Sequence, residues 1–451
     1  YNQKACLSGR NSKCIKEGMK IIMKRIMINE LKNYMDKTVS VKGWVHRIRK
    51  LKSITFVVLR DRTGLVQCVL NNKELQNSDI KLESVIEISG KVSENKNNLN
   101  PFEVVAETMN IINSSIEELP IEINKENLEV NLDTMLNNRM LSIRHEKVNA
   151  IFKIQNIIVE GFREFLKGED FTEISTPKLV EEGAEGGTEV FKVQYFEREA
   201  YLAQSPQFYK QMMVGAGFER VFEIGHVYRA EEHNTNRHLN EYISMDLEIG
   251  FIEDEKDIMN LEEALLKYIL EKVEAEGKRY LEILKAEVPI IKDNIPRIKF
   301  NEAIEILEKE YNKTGLEGDM DPEGEKLICK YTKEKFGCEF VFLTHYPRKK
   351  RPMYTMPCGY LETHSFDLLF RGIEITTGGQ RIHDYNMLLE NIKYKGLNPE
   401  NYESYISNFK YGMPPHGGLA IGLERITAKI LGFENIREAS LIPRDRTRLV
   451  P

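Results

Sequence analysis

The stretch RAEEHNTNRHLNEYISMD, residues 229–246, limits the fold more than any other part of the chain. It gathers Arg229, His233, Arg237 and His238 around Glu231, Glu232 and Glu241, and no apolar periodicity returns until Tyr242. The run VFEIGHVY leads into it and EYISMDLEIGF leads out, so two antiparallel strands should bracket a charged hairpin. Neither GxxxxGK[ST] nor GxGxxG occurs, so the glycine cradles of Walker and Rossmann folds are not available to hold phosphate. If phosphates bind this chain, arginines must hold them. Arg229 ends one apolar strand, Arg237 sits across the hairpin, and Arg425 begins a helix far away in sequence. Guanidinium pairs with phosphate bidentately, so three such groups converging on one triphosphate would bind it strongly. Any one of them alone reads more simply as a surface ion pair.

Composition narrows the class. At 451 residues the chain has room for two or three domains, each with its own core. Apolar content of 41% and charged content of 30% describe a soluble globular protein. No run approaches the roughly 18 apolar residues of a membrane span, so a cytoplasmic location with no membrane partner is expected. The six cysteines (Cys6, Cys14, Cys68, Cys329, Cys338, Cys358) form no CxxC and no spacing typical of zinc. Buried or idle thiols in a reducing cytosol are the expectation. A net charge of −6 argues weakly against nucleic acid as a partner, but an average hides patches. Residues 1–22 show no period and no signal shape, and Lys16-Glu17-Gly18 is what a ribosome-binding site would encode if read through. Translation is expected to begin at Met23 or Met27, and residues 1–27 are set aside as a disordered or untranslated extension.

A first domain, 28–112, is written in strands. TVSVKGWV alternates at Val39, Val41 and Val45, ITFVVLRDRTGLVQCVL gives two strands about the turn Asp61–Gly64, and SVIEISGKV and PFEVVAETMNII follow. Five short strands suggest a small barrel of the OB type, whose exposed face commonly binds single-stranded nucleic acid. Lys42, Arg47, Arg49, Lys50, Lys52, Arg60 and Arg62 crowd this region against Asp61 alone, with Trp44 and Phe56 available for stacking. The simpler alternative is a solvated basic edge with Phe56 in the core. Residues 113–148 read as a polar linker. A second domain, 149–451, opens with a helix carrying Ile151, Phe152, Ile154, Ile157, Ile158, Phe162 and Phe165 on one face. FTEISTPKLV then reads as a strand interrupted by Pro177, suited to an edge or interface. Further strands (YLAQSP, VFEIGHVYRA, EYISMDLEIGF), a helix around Leu261, Leu265, Tyr268 and Ile269, and GGLAIGLERITAKILG complete the pattern, with glycines ahead of a helix holding Glu424 and Arg425.

Arg229-Ala230-Glu231 with its loop and aromatic, and Gly422-Leu423-Glu424-Arg425 before a helix, resemble motifs two and three of class II aminoacyl-tRNA synthetases. The Pro177 segment looks like motif one, the dimer element. AQSPQFYKQ (203–211), EHNTNRHLNE (232–241), EITTGGQRIHDY (374–385), KYGMPPHGG (410–418) and NIREASLIPRDRTRLVP (435–451) are similar to the aspartyl-tRNA synthetase family of archaeal and eukaryotic type, over residues 28–451. The fold class implied is α+β: an N-terminal OB-fold barrel followed by an antiparallel-sheet catalytic domain flanked by helices.

The resemblance also implies an activity: aspartate and ATP give an aspartyl-adenylate, and the aspartyl group then passes to tRNA. Arg229 and Arg425 would be catalytic, gripping the α- and γ-phosphates, with Arg237 and His238 at the β/γ end. Tyr242 would stack on adenine and Glu231 read its amino group, while Ala230, Leu239, Gly422, Leu423 and Glu424 complete the ATP site. Glu374 and Thr377 would offer oxygens to Mg²⁺. Lys210 and Arg381 would close on the aspartate side chain, Glu185 take its ammonium, and Gln207, Arg229 and Thr377 help to hold it. Asparagine would then leave two buried cations without a counter-charge. His233 and His383 sit among these groups in lesser roles. On the barrel, His46, Arg47, Phe56 and Gln67 match anticodon-binding positions. Strict archaeal enzymes carry Trp where this chain has His46, and a smaller imidazole can hydrogen-bond either pyrimidine. The partners implied are ATP, L-aspartate, tRNA(Asp) and also tRNA(Asn), a second copy of the chain in a homodimer, and a tRNA-dependent amidotransferase. Asparaginyl and lysyl ligases are disfavoured by QSPQFYK and GGQR.

Overall fold

The computed structural model describes residues 24–76, 79–95, 100–181, 183, 189–316 and 318–450. The chain divides into two compact units, one ending at Glu126 and the other starting at Asn127.

The first unit is a closed barrel of five strands, β1 (Thr38–Lys50), β2 (Thr55–Asp61), β3 (Gly64–Leu70), β4 (Val85–Glu94) and β5 (Phe102–Asn113), in the order β1-β2-β3-β5-β4. A one-turn helix, α1 (Lys73–Gln76), follows β3. Alternation builds the core: Val39, Val41, Val45, Val57, Leu59, Val66, Cys68, Ile86 and Ile88 all point inward. Gly43 is needed where β1 curls onto β2, because a Cβ there would lie 2.1 Å from the Arg60 carbonyl oxygen. The fold begins earlier than residue 28. Ile26 is buried in this core and its N–H donates to the Ser40 carbonyl at 2.8 Å. The expected start at Met23 lies outside the described residues, whereas Met27 lies within them.

The second unit starts inside the expected linker. Two short helices, α2 (Leu132–Asn137) and α3 (Arg139–Ser142), precede the long α4 (Glu146–Gly168). Asn131 caps α2 by accepting from the Thr134 N–H. Arg139 is buried and donates to the carbonyls of Leu441 (2.8 Å) and Ser440 (2.6 Å), while burial lowers its pKa to about 10. Polar composition hid this anchoring.

The main sheet has eight strands. In chain order they are β6 (Thr172–Glu173), β10 (Arg220–Tyr228), β11 (Glu241–Gly250), β12 (Arg297–Lys299), β13 (Phe340–Thr344), β16 (Ser365–Phe370), β17 (Ile373–Arg381) and β18 (His416–Gly422). Their spatial order is β12-β13-β16-β17-β18-β11-β10-β6. The sheet is mixed rather than purely antiparallel, since β12/β13 and β6/β10 pair in parallel. A small sheet of β7 (Leu179–Val180), β8 (Lys192–Tyr195) and β9 (Arg198–Leu202) lies apart from it, as does the pair β14 (Pro357–Cys358) and β15 (Glu362–Thr363). Pro177 stands between β6 and β7, outside any ladder. Five further helices are α5 (Gln207–Met213), α6 (Glu255–Leu284), α7 (Phe300–Tyr311), α8 (Pro322–Phe336) and α9 (Tyr385–Tyr394); the one-turn α10 (Glu403–Ile406) and α11 (Leu423–Ile430) close the series. α4, α6 and α11 cover one sheet face through Ile154, Ile158, Phe162, Leu265, Ile269 and Ile426, against Met245, Leu247, Leu419 and Ile421. The glycines of GGLAIG belong to strand β18, not to a loop ahead of α11.

Candidate active site

Strand register builds the site. Cross-strand pairing puts Asp367, Thr377, Ala420 and Asp246 in one row over β16, β17, β18 and β11. The next row is Ser365, Gly379, Gly418 and Glu248. Because Met245, Leu247, Leu419 and Ile421 face the helices, their alternate neighbours face the other way. Small residues keep that floor open. A Cβ on Gly418 would stand 2.2 Å from Glu248 Oε2. The floor carries a cavity of about 620 Å³, and Gln207, Arg229, Glu231, Arg237, His238, Leu239, Tyr242, Glu374, Thr377, Arg381, Gly422, Glu424 and Arg425 are among its lining. Arg229 and Arg237 of the hairpin therefore share one cavity with Arg425, far away in sequence.

At one end the cations are held by carboxylates. Arg425 Nη1 donates to the Glu374 carbonyl at 2.9 Å and lies 3.7 Å from its Oε1. Burial alone would raise the Glu374 pKa; Arg425, the Thr377 hydroxyl bond (2.8 Å), Arg351 and Arg229 more than offset it and hold the carboxyl below its ordinary value. Arg237 pairs with Glu325 of α8, whose carboxyl burial pushes up to about 7. His238 Nε2 lies 3.2 Å from Glu231 Oε2. Burial lowers the His238 pKa, and Arg425 and Arg237 lower it further against the pull of Glu231. The Glu424 carboxylate turns to the Ile243 N–H at 3.1 Å, and burial pushes its pKa up to about 8. Ala230 and Leu423 are not part of the lining; Ala230 donates its N–H to the Glu189 carbonyl, and Leu423 is buried in the core.

At the other end the residues expected around aspartate are joined in a buried ion-pair network. Lys210, from α5, is buried and does not line the cavity. Its Nζ donates to Asp246 Oδ1 (2.9 Å), the Leu419 carbonyl (3.0 Å) and the Leu247 carbonyl (3.3 Å), with Glu248 Oε2 at 3.4 Å. Arg381 Nε donates to Glu248 Oε1 at 3.0 Å, and its Nη2 to the Gly418 carbonyl (2.9 Å) and Gln207 Oε1 (3.4 Å). Burial would raise the Glu248 pKa, but Arg381 and then Lys210 hold it below its ordinary value. The two cations thus already have counter-charges, because a buried ammonium or guanidinium needs one whether or not substrate is bound. Only Arg381 lies open to the cavity. Glu185 lies outside the described residues. His233 and His383 are not among the lining residues.

Sequence reasoning passed over Asp367, Arg351, Tyr354, Asp246 and Glu325. Asp367 faces Thr377 across the hairpin, accepts from Arg351 Nη2 at 2.7 Å, and keeps Oδ1 buried without a partner among the described residues. Burial raises its pKa, with Arg351 opposing. With Glu374 and Thr377 it offers the all-oxygen donor set that suits Mg²⁺. No short motif marks these residues. A sheet register drawn from the sequence would have paired Asp367 with Thr377.

On the barrel, considered by itself, Phe56 and Val58 alternate with buried Val57 and Leu59, so Phe56 faces outward, not into the core. Arg47 pairs with Val58 and Val58 with Gln67, putting these on the same face. Gln67 Nε2 donates to Glu103, and Arg47 to the Asn124 carbonyl at 2.7 Å. The step from Val45 to Arg47 on β1 matches one step from Leu59 to Val58 on β2, so His46 is the extra residue of a β-bulge. Its Nδ1 lies 3.3 Å from Arg60 Nη1.

Comparison with known proteins agrees with this geometry. The family described as class II tRNA synthetases (D, K and N) matches residues 131–446, and an OB-fold nucleic acid binding domain matches 39–112. An aspartate–tRNA(Asp/Asn) ligase of Deinococcus radiodurans is 49% identical over 95% of this chain and 99% of its own. The protein of the same name from Thermus thermophilus is 48% identical over 95% and 100%. The solved asparaginyl-tRNA synthetase of Pyrococcus horikoshii with asparaginyl-adenylate superposes with a TM-score of 0.87 at 30% identity, covering 95% of this chain and 100% of that one. With matching family models over both units and relatives near half identity along almost its full length, the chain belongs to the class II tRNA synthetases of the aspartate, lysine and asparagine group.

Proposed function

We propose that the chain joins L-aspartate to ATP and then transfers the aspartyl group to tRNA(Asp) and tRNA(Asn). One observation carries the reading: a single cavity holds Arg229, Arg237 and Arg425 at one end and the Arg381 fork at the other. An α-carboxylate oxygen of aspartate attacks the α-phosphorus of ATP, and the bond to the β-phosphate oxygen breaks, releasing pyrophosphate. A terminal ribose hydroxyl of the tRNA then attacks the activated carbonyl, and AMP leaves. No side-chain nucleophile is needed, so positioning and charge stabilisation do the catalysis. Arg229 and Arg425 offset charge on the phosphates, and Tyr242 packs on the adenine. Asp367, Glu374 and Thr377 would hold Mg²⁺, which would supply positive charge against the phosphates. Arg381 donates only, so a further bond from it suits a carboxylate oxygen and opposes the amide nitrogen of asparagine. The names of the Deinococcus and Thermus relatives favour aspartate, whereas the fold is shared with an asparaginyl enzyme.

Relaxed tRNA choice rests on His46, which sits on the same barrel region as Phe56 and Gln67 and bears an imidazole in place of a bulky indole. Edge strand β6, with both residues exposed and Pro177 after it, supports a homodimer through this segment. An Asp-tRNA(Asn) product would need a tRNA-dependent amidotransferase. The test is pyrophosphate exchange into ATP with single amino acids and no tRNA. Aspartate is expected to support it, at least about a hundredfold (about 2.7 kcal/mol) better than asparagine. Equal exchange with asparagine or lysine would overturn the assignment.

A further inference from the structure

The cysteines carry no zinc spacing in sequence, yet the fold brings one of them to two histidines. His345 follows β13, Cys358 ends β14 and His364 precedes β16. One candidate ligand atom from each lies within 4.8 Å of the others. Cys358 is a free thiol. Around them the arrangement is that of a prepared metal shell. His364 Nδ1 hydrogen-bonds Glu255 Oε2 at 2.6 Å, which leaves Nε2 as the ligating atom. His345 Nδ1 bonds the Thr344 hydroxyl at 3.0 Å, again leaving Nε2, which lies 3.9 Å from Glu255 Oε1. Glu255, the first residue of α6, is buried. A carboxylate that fixes an imidazole through its second nitrogen is the recurrent outer partner of zinc-binding histidines. His345 also stands at φ 60°, held there by its N–H to the Ser365 carbonyl at 2.9 Å.

We propose that His345, Cys358 and His364 bind one Zn²⁺-class divalent cation, with Glu255 as orienting carboxylate or fourth ligand. Two imidazoles and a thiolate suit a borderline-soft ion and not Mg²⁺, so this site is chemically distinct from the oxygen donors in the cavity. Zn–N near 2.0 Å and Zn–S near 2.3 Å place tetrahedral ligand atoms about 3.5 Å apart, so closing on the ion takes rotamer shifts of about 1 Å. Binding releases the thiol proton to solvent. The metal has a structural reason to be there. His345 and His364 are the two ends of the excursion that carries Arg351, Met353 and Tyr354 to the cavity wall. A cation joining the ends would stabilise the folded loop by its binding free energy, because the three ligands meet only in the folded chain.

The test uses the full chain, stripped with chelator and titrated with Co²⁺ in excess Mg²⁺. One equivalent is expected to give tetrahedral d–d bands and a near-ultraviolet thiolate-to-cobalt charge-transfer band, both erased by stoichiometric Zn²⁺. Cys358→Ser should lose the charge-transfer band and His364→Ala the binding, while Glu255→Gln should weaken affinity about ten- to hundredfold. Thermal melts of Cys358→Ser without metal, matching those of the stripped native chain, separate site loss from misfolding. Absence of the band in the native chain, or its persistence in Cys358→Ser, overturns the proposal.

Discussion

Lys210 spends its three donors on one carboxylate and two carbonyls, with a second carboxylate in reach. Truncating it takes from Asp246 its ammonium partner and leaves Glu248 paired with Arg381. Removing one partner from such a buried set costs about 3–5 kcal/mol. Lys210→Ala should therefore lower the melting temperature together with aspartate-dependent exchange, and Asp246→Asn in the same chain should restore much of the stability but not the activity. A Lys210→Ala variant that melts with the native protein would return the lysine to a purely substrate-facing role. The phosphate-end arginines were legible because each sits beside a short recurring pattern. Asp367, Glu325 and Arg351 were not, since each is one charged residue in an ordinary strand, helix or turn. Register and helix packing, rather than spacing, bring them to the cavity.

In β1 the inward residues run Val39, Val41, Val45 and then Ile48, a switch from odd to even positions that marks a bulge. The strand itself is plain from the alternation, and the phase change is masked by the basic side chains around it. His46 is the extra residue of the bulge, so exchanging it leaves the register of β1 with β2 in place while removing the contact with Arg60. On matched transcripts differing only in the third anticodon base, C against U, the native chain should show a small preference and His46→Trp a wider one. A native preference above about a hundredfold would exclude relaxed choice. The region expected as a linker carries the short helices α2 and α3. Its polar run NKENLEVNLDT has no hydrophobic period, but the structure of that region depends on Arg139, whose partners lie some 300 residues away.

Stability of the whole molecule should respond to pH through carboxyls that the fold keeps neutral. Glu262 is fully buried on α6, beside Thr376 and Asp367, and burial pushes it up to about 8; Glu424 behaves alike. Both lie above the ordinary 4.5, so the folded chain binds protons more tightly than the unfolded one between those values. Their contribution is complete below about 4.5 and is lost as pH rises through 8. The melting temperature should fall from pH 6 to pH 8.5, and Glu262→Gln should flatten that fall by several degrees, read by calorimetry across the range. Parallel curves for the two proteins would show that Glu262 does not titrate there.

The division after Glu126 bears on how such a protein can change over time. The barrel has its own apolar core, and the described core clusters of the synthetic unit share no residue with it. The lining of the Arg381 cavity comes from the second unit. If the barrel chooses the tRNA and the cavity the amino acid, as proposed, a lineage can widen or narrow the set of tRNAs it serves without re-adjusting which amino acid it activates, and the two halves of the coding assignment are free to drift at separate rates.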